Sequence, residues 1–226
     1  MGIIEIISKI NKYILGTNWF KTFRINIHYF SFRQAIKLPI LVSRRSVFQQ
    51  LMGRVEIRVP LKTGMLLFGY QSLGAQDPFY ERTVWQVSGT ILLDGYKINI
   101  GRGSKFCVSG ICILGDHLSV TGRSTIICRK KMQFGKNNLI SWDVLLMDTD
   151  FHKILDHSKK VINKDKQISI GDNVWIGCRA TLLKGSNIPA NSIIAAGAVI
   201  SGKLAKEGCI YTSEKRILKE IGSWEI

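Results

Sequence analysis

A solenoid of stacked triangular coils is the fold class this sequence predicts, on two observations. The first is a six-residue period: Ile170, Ile176, Leu182, Ile188, Ile194 and Ile200 are aliphatic and evenly spaced. The second is what opens the repeats. In Ile100-Gly101, Leu114-Gly115, Phe134-Gly135, Ile170-Gly171 and Ile176-Gly177 an apolar residue is followed by glycine. A period of six fits neither the 3.6 residues of an amphipathic helix nor the two-residue alternation of a half-buried strand. It fits a coil of three short parallel strands, each sending one aliphatic side chain inward, with small or turn-forming residues at the corners. Stacked coils then bury a continuous apolar column that one coil alone cannot bury.

Taken in chain order, residues 1–53 lack the period and read as a basic and aromatic N-terminal cap, helical or mixed. Their stretch NWFKTFRINIHYFSFRQAIKLPI allows either a shield for the open end of the solenoid or a peripheral contact with anionic lipid. Strand-like runs VEIRV, MLLFG, TVWQV and TILL follow, so an all-β solenoid domain is expected over 54–203, its first coils irregular. The period recurs in offset blocks: Ile100, Phe106, Cys112; Leu114, Val120, Ile126, Met132; Phe134, Ile140, Leu146. Beyond Ile200 it stops, and residues 204–226 read as a tail whose RILKEI forms a short C-terminal helix.

Composition bounds the function. With 32 Lys+Arg against 16 Asp+Glu, the formal charge of +16 favours an anionic partner: phosphorylated metabolite, anionic lipid or nucleic acid. The basic residues are dispersed and no nucleic-acid motif is present, which argues against nucleic acid. Five cysteines, Cys107, Cys112, Cys128, Cys178 and Cys209, form no C-x-x-C pair and sit in apolar runs. They read as buried free thiols of a reducing compartment, and the charged N-terminal run MGIIEIISKINKYILG does not read as a signal peptide. A cytoplasmic protein, with optional contact at the inner membrane face, is the expectation.

Chemistry is expected where the rhythm breaks. Between Leu146 and Ile170 the excursion MDTDFHKILDHSKKVINKDKQ carries His152 and His157, with Asp143, Asp148 and Asp150 before or within it. An imidazole beside a carboxylate can take a proton from a hydroxyl at neutral pH. Either histidine could be such a base, with Asp150 the candidate catalytic carboxylate.

FGKNNLISWDVLLMDTDFH, followed by ISIGDNVWIGCRATLLKGSNIPANSIIAAGAVIS, resembles the hexapeptide-repeat O-acyltransferases, above all acetyltransferases of bacterial capsule and O-antigen clusters and the galactoside and maltose acetyltransferases. The resemblance implies that the solenoid is a left-handed parallel β-helix. It implies direct transfer from acetyl-CoA or another short acyl-CoA to a hydroxyl of a sugar or glycan precursor, with His152 as general base and no metal. Trp175, Gly177 and Cys178 would border the donor. Ala195, Ala196 and Gly197 would admit the pantetheine arm, and Lys203, Lys215 and Arg216 would meet the nucleotide phosphates. Asp143, Asp148 and Arg129 are the acceptor candidates. Where sugar acetyltransferases carry an acidic residue one coil earlier, this chain has Ile127-Cys128-Arg129, which fits a negatively charged acceptor. A homotrimer with sites between neighbours is also implied. Two other readings stay open: a zinc-dependent γ-type carbonic anhydrase using His117, His152 and His157, and a non-catalytic scaffold on an anionic surface.

Overall fold

The computed structural model describes residues 13–70, 73, 74, 76, 77, 79–213 and 217–220. Among them, three sheets of nine, seven and six strands stack coil on coil, with parallel pairing throughout the coils. On the first face the inward column runs Val42, Phe68, Ile100, Val120, Ile140, Ile176, Ile194, Tyr211. The second runs Phe48, Trp85, Phe106, Ile126, Leu146, Leu182, Ile200. The third carries Val55, Ile91, Cys112, Met132 and Ile168. Nearly all are under 2% exposed, the dry column that the repeat predicts.

The offset blocks have a simple cause. Cys112 with Leu114, and Met132 with Phe134, both point inward on the third face, and the two extra residues of that face restart the six-residue count two positions later. Ile176 pairs with Ile194, a coil of eighteen residues, whereas Val120 pairs with Ile100 and Ile140 at spacings of twenty. Corners between the third and first faces need left-handed backbone. Asn137, Asn173 and Asn191 adopt φ of 55°, 55° and 56° there, and their side chains bond in a ladder at 3.1 and 3.0 Å. Asparagine tolerates that conformation better than most residues.

Two boundaries move. The solenoid begins at Ile40–Val42, upstream of 54, because this strand already pairs with Leu66–Phe68. The open edge before it is closed by a helix, α1 (Trp19–Tyr29). Ile40 N–H donates to Asn26 Oδ1 at 3.1 Å, and Asn26 Nδ2 donates back to Ile40 O at 2.7 Å. Val42 N–H donates to Thr22 Oγ1 at 3.1 Å, and Asn18 N–H to Val42 O at 2.8 Å. Buried polar side chains of the helix thus do what a preceding coil would do. At the other end, Ile217–Glu220 is a strand antiparallel to Cys209–Tyr211, where a helix was expected. The last sheet edge offers backbone partners to a segment too short to hold an isolated helix.

Candidate functional site

The excursion leaves the corner that follows strand Leu145–Met147 of the second face and returns at Ile168–Ile170 of the third. Asp148 sits at its root. Fully buried, its carboxylate accepts from the N–H groups of Arg129, Lys130 and Lys131 at 2.7, 2.9 and 2.8 Å. These partners belong to the coil before, so Asp148 anchors the loop and offers no surface to an acceptor. The expectation that it binds one is corrected accordingly.

Beyond it the chain forms a small hairpin. Leu155 bridges Val161, and Asp156 Oδ1 closes the tip by accepting from Ser158 and Lys160 N–H, both at 2.9 Å. At its base stands Asn163, which the sequence reading did not single out. Asn163 Oδ1 accepts from Ile154 N–H at 2.7 Å, and its Nδ2 donates to Asp150 Oδ2 and to the carbonyl of His152, each at 2.8 Å. Asp150 also pairs with Lys184, whose ammonium donates to Asn163 O at 2.8 Å. Lys184 first and Asn163 second hold the Asp150 carboxyl below the usual carboxylate range. Asp150 therefore fixes the backbone that carries His152 through Asn163, while its carboxylate is turned to Lys184. No local pattern announces these partners, which lie 13 and 34 residues away along the chain.

His152 is exposed and borders a groove of about 220 Å³ with Arg129, Phe151, Lys153, Asn163, Lys164 and Asp165. Arg129 and Phe151 also border a second hollow of about 330 Å³ that runs over the outer side of the second face past Ile127, Cys107 and Gln86. The Arg129 guanidinium lies 5.9 Å from the Phe151 ring centre and 3.6 Å from Asp165. Phe151 itself has φ of 60°, a conformation costly for an aromatic residue, held next to the histidine.

The other expected residues fall elsewhere. Trp175 lies on the first face, partly exposed, its Nε1 donating to Ser141 Oγ at 3.0 Å. Gly177, Cys178, Ala195 and Ala196 line the corner between first and second faces. There a Cβ on Gly177 would come within 2.6 Å of Ala196 N, so the coils stack this closely only with glycine. This corner and the His152 loop occupy opposite edges of the second face. Asp143 shares the first corner and pairs with Arg123 at 2.8 Å. Lys203 is exposed at the loop's own corner, where its backbone bridges Asn187. Lys215 and Arg216 lie outside the described residues, as does the run 1–12.

Cys112, Cys128 and Cys209 are buried, whereas Cys107 and Cys178 are only half-buried, which corrects the reading of all five as buried; all are free thiols. His117 stands at a third-to-first corner with φ of 54° and bonds Asp116 at 2.8 Å. Among the described residues of the chain no three His, Cys, Asp or Glu side chains are placed to hold a metal ion. Nor is any described helix long and apolar enough to cross a membrane.

Residues 167–202 match the bacterial transferase hexapeptide family, described as six repeats. An uncharacterised 24.8 kDa protein of the cps region of Klebsiella pneumoniae is 28% identical over 141 residues, 62% of this chain and 60% of that protein. The polysialic acid O-acetyltransferase of Escherichia coli O1:K1 / APEC is 35% identical over 92 residues, 40% of this chain and 26% of that enzyme. The chain thus spans less than two thirds of the length of either relative. Among solved structures, the polySia-specific acetyltransferase NeuO superposes with a TM-score of 0.50 at 20% identity, covering 83% of this chain and 78% of that one. With the repeats of residues 167–202 matched and the coils stacked as described, the chain is a left-handed parallel β-helix that carries the hexapeptide repeat and is similar in part to bacterial glycan acetyltransferases.

Proposed function

We propose that the chain transfers an acetyl or other short acyl group from a coenzyme A thioester to a hydroxyl of an anionic sugar or glycan precursor. The observation that carries the reading is His152, held by the Asn163–Asp150–Lys184 network at the mouth of a groove edged by Arg129, Lys153 and Lys164. Acetyltransferases among the relatives support the reaction class.

In this mechanism the neutral His152 imidazole accepts the proton of the acceptor hydroxyl as its oxygen attacks the thioester carbonyl. The C–S bond breaks as the tetrahedral intermediate collapses, and the imidazolium returns the proton to the departing thiolate. No acyl-enzyme forms. Base catalysis of this kind is worth about 10²–10⁴-fold, and holding the two reactants in line adds to it. The exposed Phe151 ring gives an apolar shelf for a pyranose face, and the surrounding cations favour a carboxylate or phosphate on the acceptor. The cytoplasm, where acyl-CoA is made, is the compartment this chemistry requires.

Trp175, Gly177, Cys178, Ala195 and Ala196 are assigned to the donor and Lys203 to its phosphates. Because the donor corner and His152 flank one face at opposite edges, the reading has a homotrimer in which one chain's histidine meets the donor corner of the next. The test is thioester consumption from acetyl-CoA with neutral sugars, sugar nucleotides and acidic oligosaccharides. In His152→Ala, turnover should fall about 10²–10⁴-fold while acetyl-CoA still binds by calorimetry. Turnover unchanged by the substitution, or no donor binding to the intact protein, would reject the proposal.

A further inference from the structure

Helix α1 is inside out. Its buried side holds Thr22, Ile25 and Asn26, two of the three polar, because that side must satisfy the first strand's backbone. Its large apolar residues are left outside: Trp19, Phe20, Phe23 and Ile27 are 42%, 75%, 48% and 64% exposed. At 3.6 residues per turn these four fall within an arc of about 100°. The helix that follows, α2 (Phe32–Ala35), contacts α1 and adds Phe32 at 77% and Ile36, just past its end, at 60%. A helix that served only to shield the solenoid's end would bury its aromatics and present its polar residues to water.

Charge decides what the surface meets. Exposed Arg24, Arg33 and Lys37 lie on this cap, exposed Arg44 and Arg45 follow the first strand, and no Asp or Glu occurs from Tyr13 to Val55. A second copy of the chain docked cap to cap would set cations against cations with no acid to pair them, which opposes a symmetric contact through this face. An anionic bilayer satisfies both features, since rings and aliphatic side chains enter the headgroup boundary while Lys and Arg remain among lipid phosphates.

We infer that the α1–α2 cap is a docking surface for anionic phospholipid, holding the solenoid against a membrane in the plane of α1. The inference stands on the cap alone and does not rest on the acyl-transfer reading. The experiment is co-sedimentation of the full chain with phosphatidylcholine vesicles, with and without phosphatidylglycerol. Binding is expected to the mixed vesicles, at least about tenfold weaker to the neutral ones, and weakened by salt. Phe20→Ser with Ile27→Ser, both outward and therefore compatible with folding, should weaken binding about tenfold or more. Arg33→Gln with Lys37→Gln should weaken it about fivefold per charge. Phe32→Ser serves as a second apolar probe, and unchanged thermal unfolding confirms that each variant is folded. His152→Ala should bind vesicles as wild type does. Absent binding, equal binding to neutral vesicles, or binding indifferent to both sets of variants overturns the inference. So does a change of oligomeric state in Phe20→Ser/Ile27→Ser without vesicle binding by the intact chain, which would assign the face to contacts between copies.

Discussion

The Asp148 carboxylate, wholly inside the protein, accepts three backbone N–H bonds from the preceding coil. In Asp148→Ala those donors lose their partners, and the expected cost is roughly 2–4 kcal/mol in denaturant unfolding. A loss below about 0.5 kcal/mol would mean that water replaces the carboxylate. Asp150 behaves differently because it is accessible and paired with Lys184. Its folded pKa is depressed, so its contribution is fully present above the unfolded carboxylate value of about 3.9 and is lost as pH falls through the lower folded value. The hairpin should hold at neutral and mildly acidic pH. In Lys184→Met the Asp150 carboxyl should titrate at higher pH, moving loosening of the hairpin toward neutrality. A carboxyl-carbon NMR titration with an unmoved midpoint would sever the link between Lys184 and Asp150. His152 was legible as a histidine in a broken repeat, but its support was not, since Asn163 and Lys184 meet Asp150 only once two coils and a hairpin are in place.

On the scale of an element, the cap and the excursion show how a solenoid ends and how it is interrupted. Asn26→Leu removes the side chain that pairs both backbone groups of Ile40 and leaves them facing an apolar side chain. A loss of roughly 2–4 kcal/mol is expected. Because each coil contacts only its neighbours, the damage should stay local. Hydrogen exchange should quicken at Ile40–Val42 and Leu66–Phe68 while Leu139–Trp142 and Thr181–Leu183 keep their protection. Uniform quickening along the chain would instead show all-or-none unfolding. The strand at Ile217–Glu220 carries the same lesson. RILKEI has helical residues, yet the exposed edge of Cys209–Tyr211 supplies hydrogen bonds that local propensity does not foresee.

For the whole molecule the question is where an acyl-transfer site can be complete. One chain puts the His152 groove and the Ala196 corner on opposite edges of the second face, which supports a site shared between chains. Co-expression of His152→Ala with Ala196→Trp in equal amounts, each inactive alone, should restore roughly a quarter of wild-type activity, since one interface in each mixed trimer retains both intact halves and pure trimers of either variant stay inactive. Sedimentation should give three times the 25.5 kDa chain mass for every variant. A monomer, or mixed protein with no recovered activity, would place the complete site within one chain.

The sequence by itself determined the coils, because a six-residue period admits one inward side chain per short strand and leaves no other packing for the aliphatic column. It also marked the excursion from the coils, since the long break in that rhythm between Leu146 and Ile170 contains His152. Only the tertiary structure decided which carboxylate anchors and which orients, that the cap turns polar residues inward and aromatics outward, and that the tail pairs as a strand. Each of these depends on backbone groups left open at an edge or a corner, and such groups exist only once the coils have stacked.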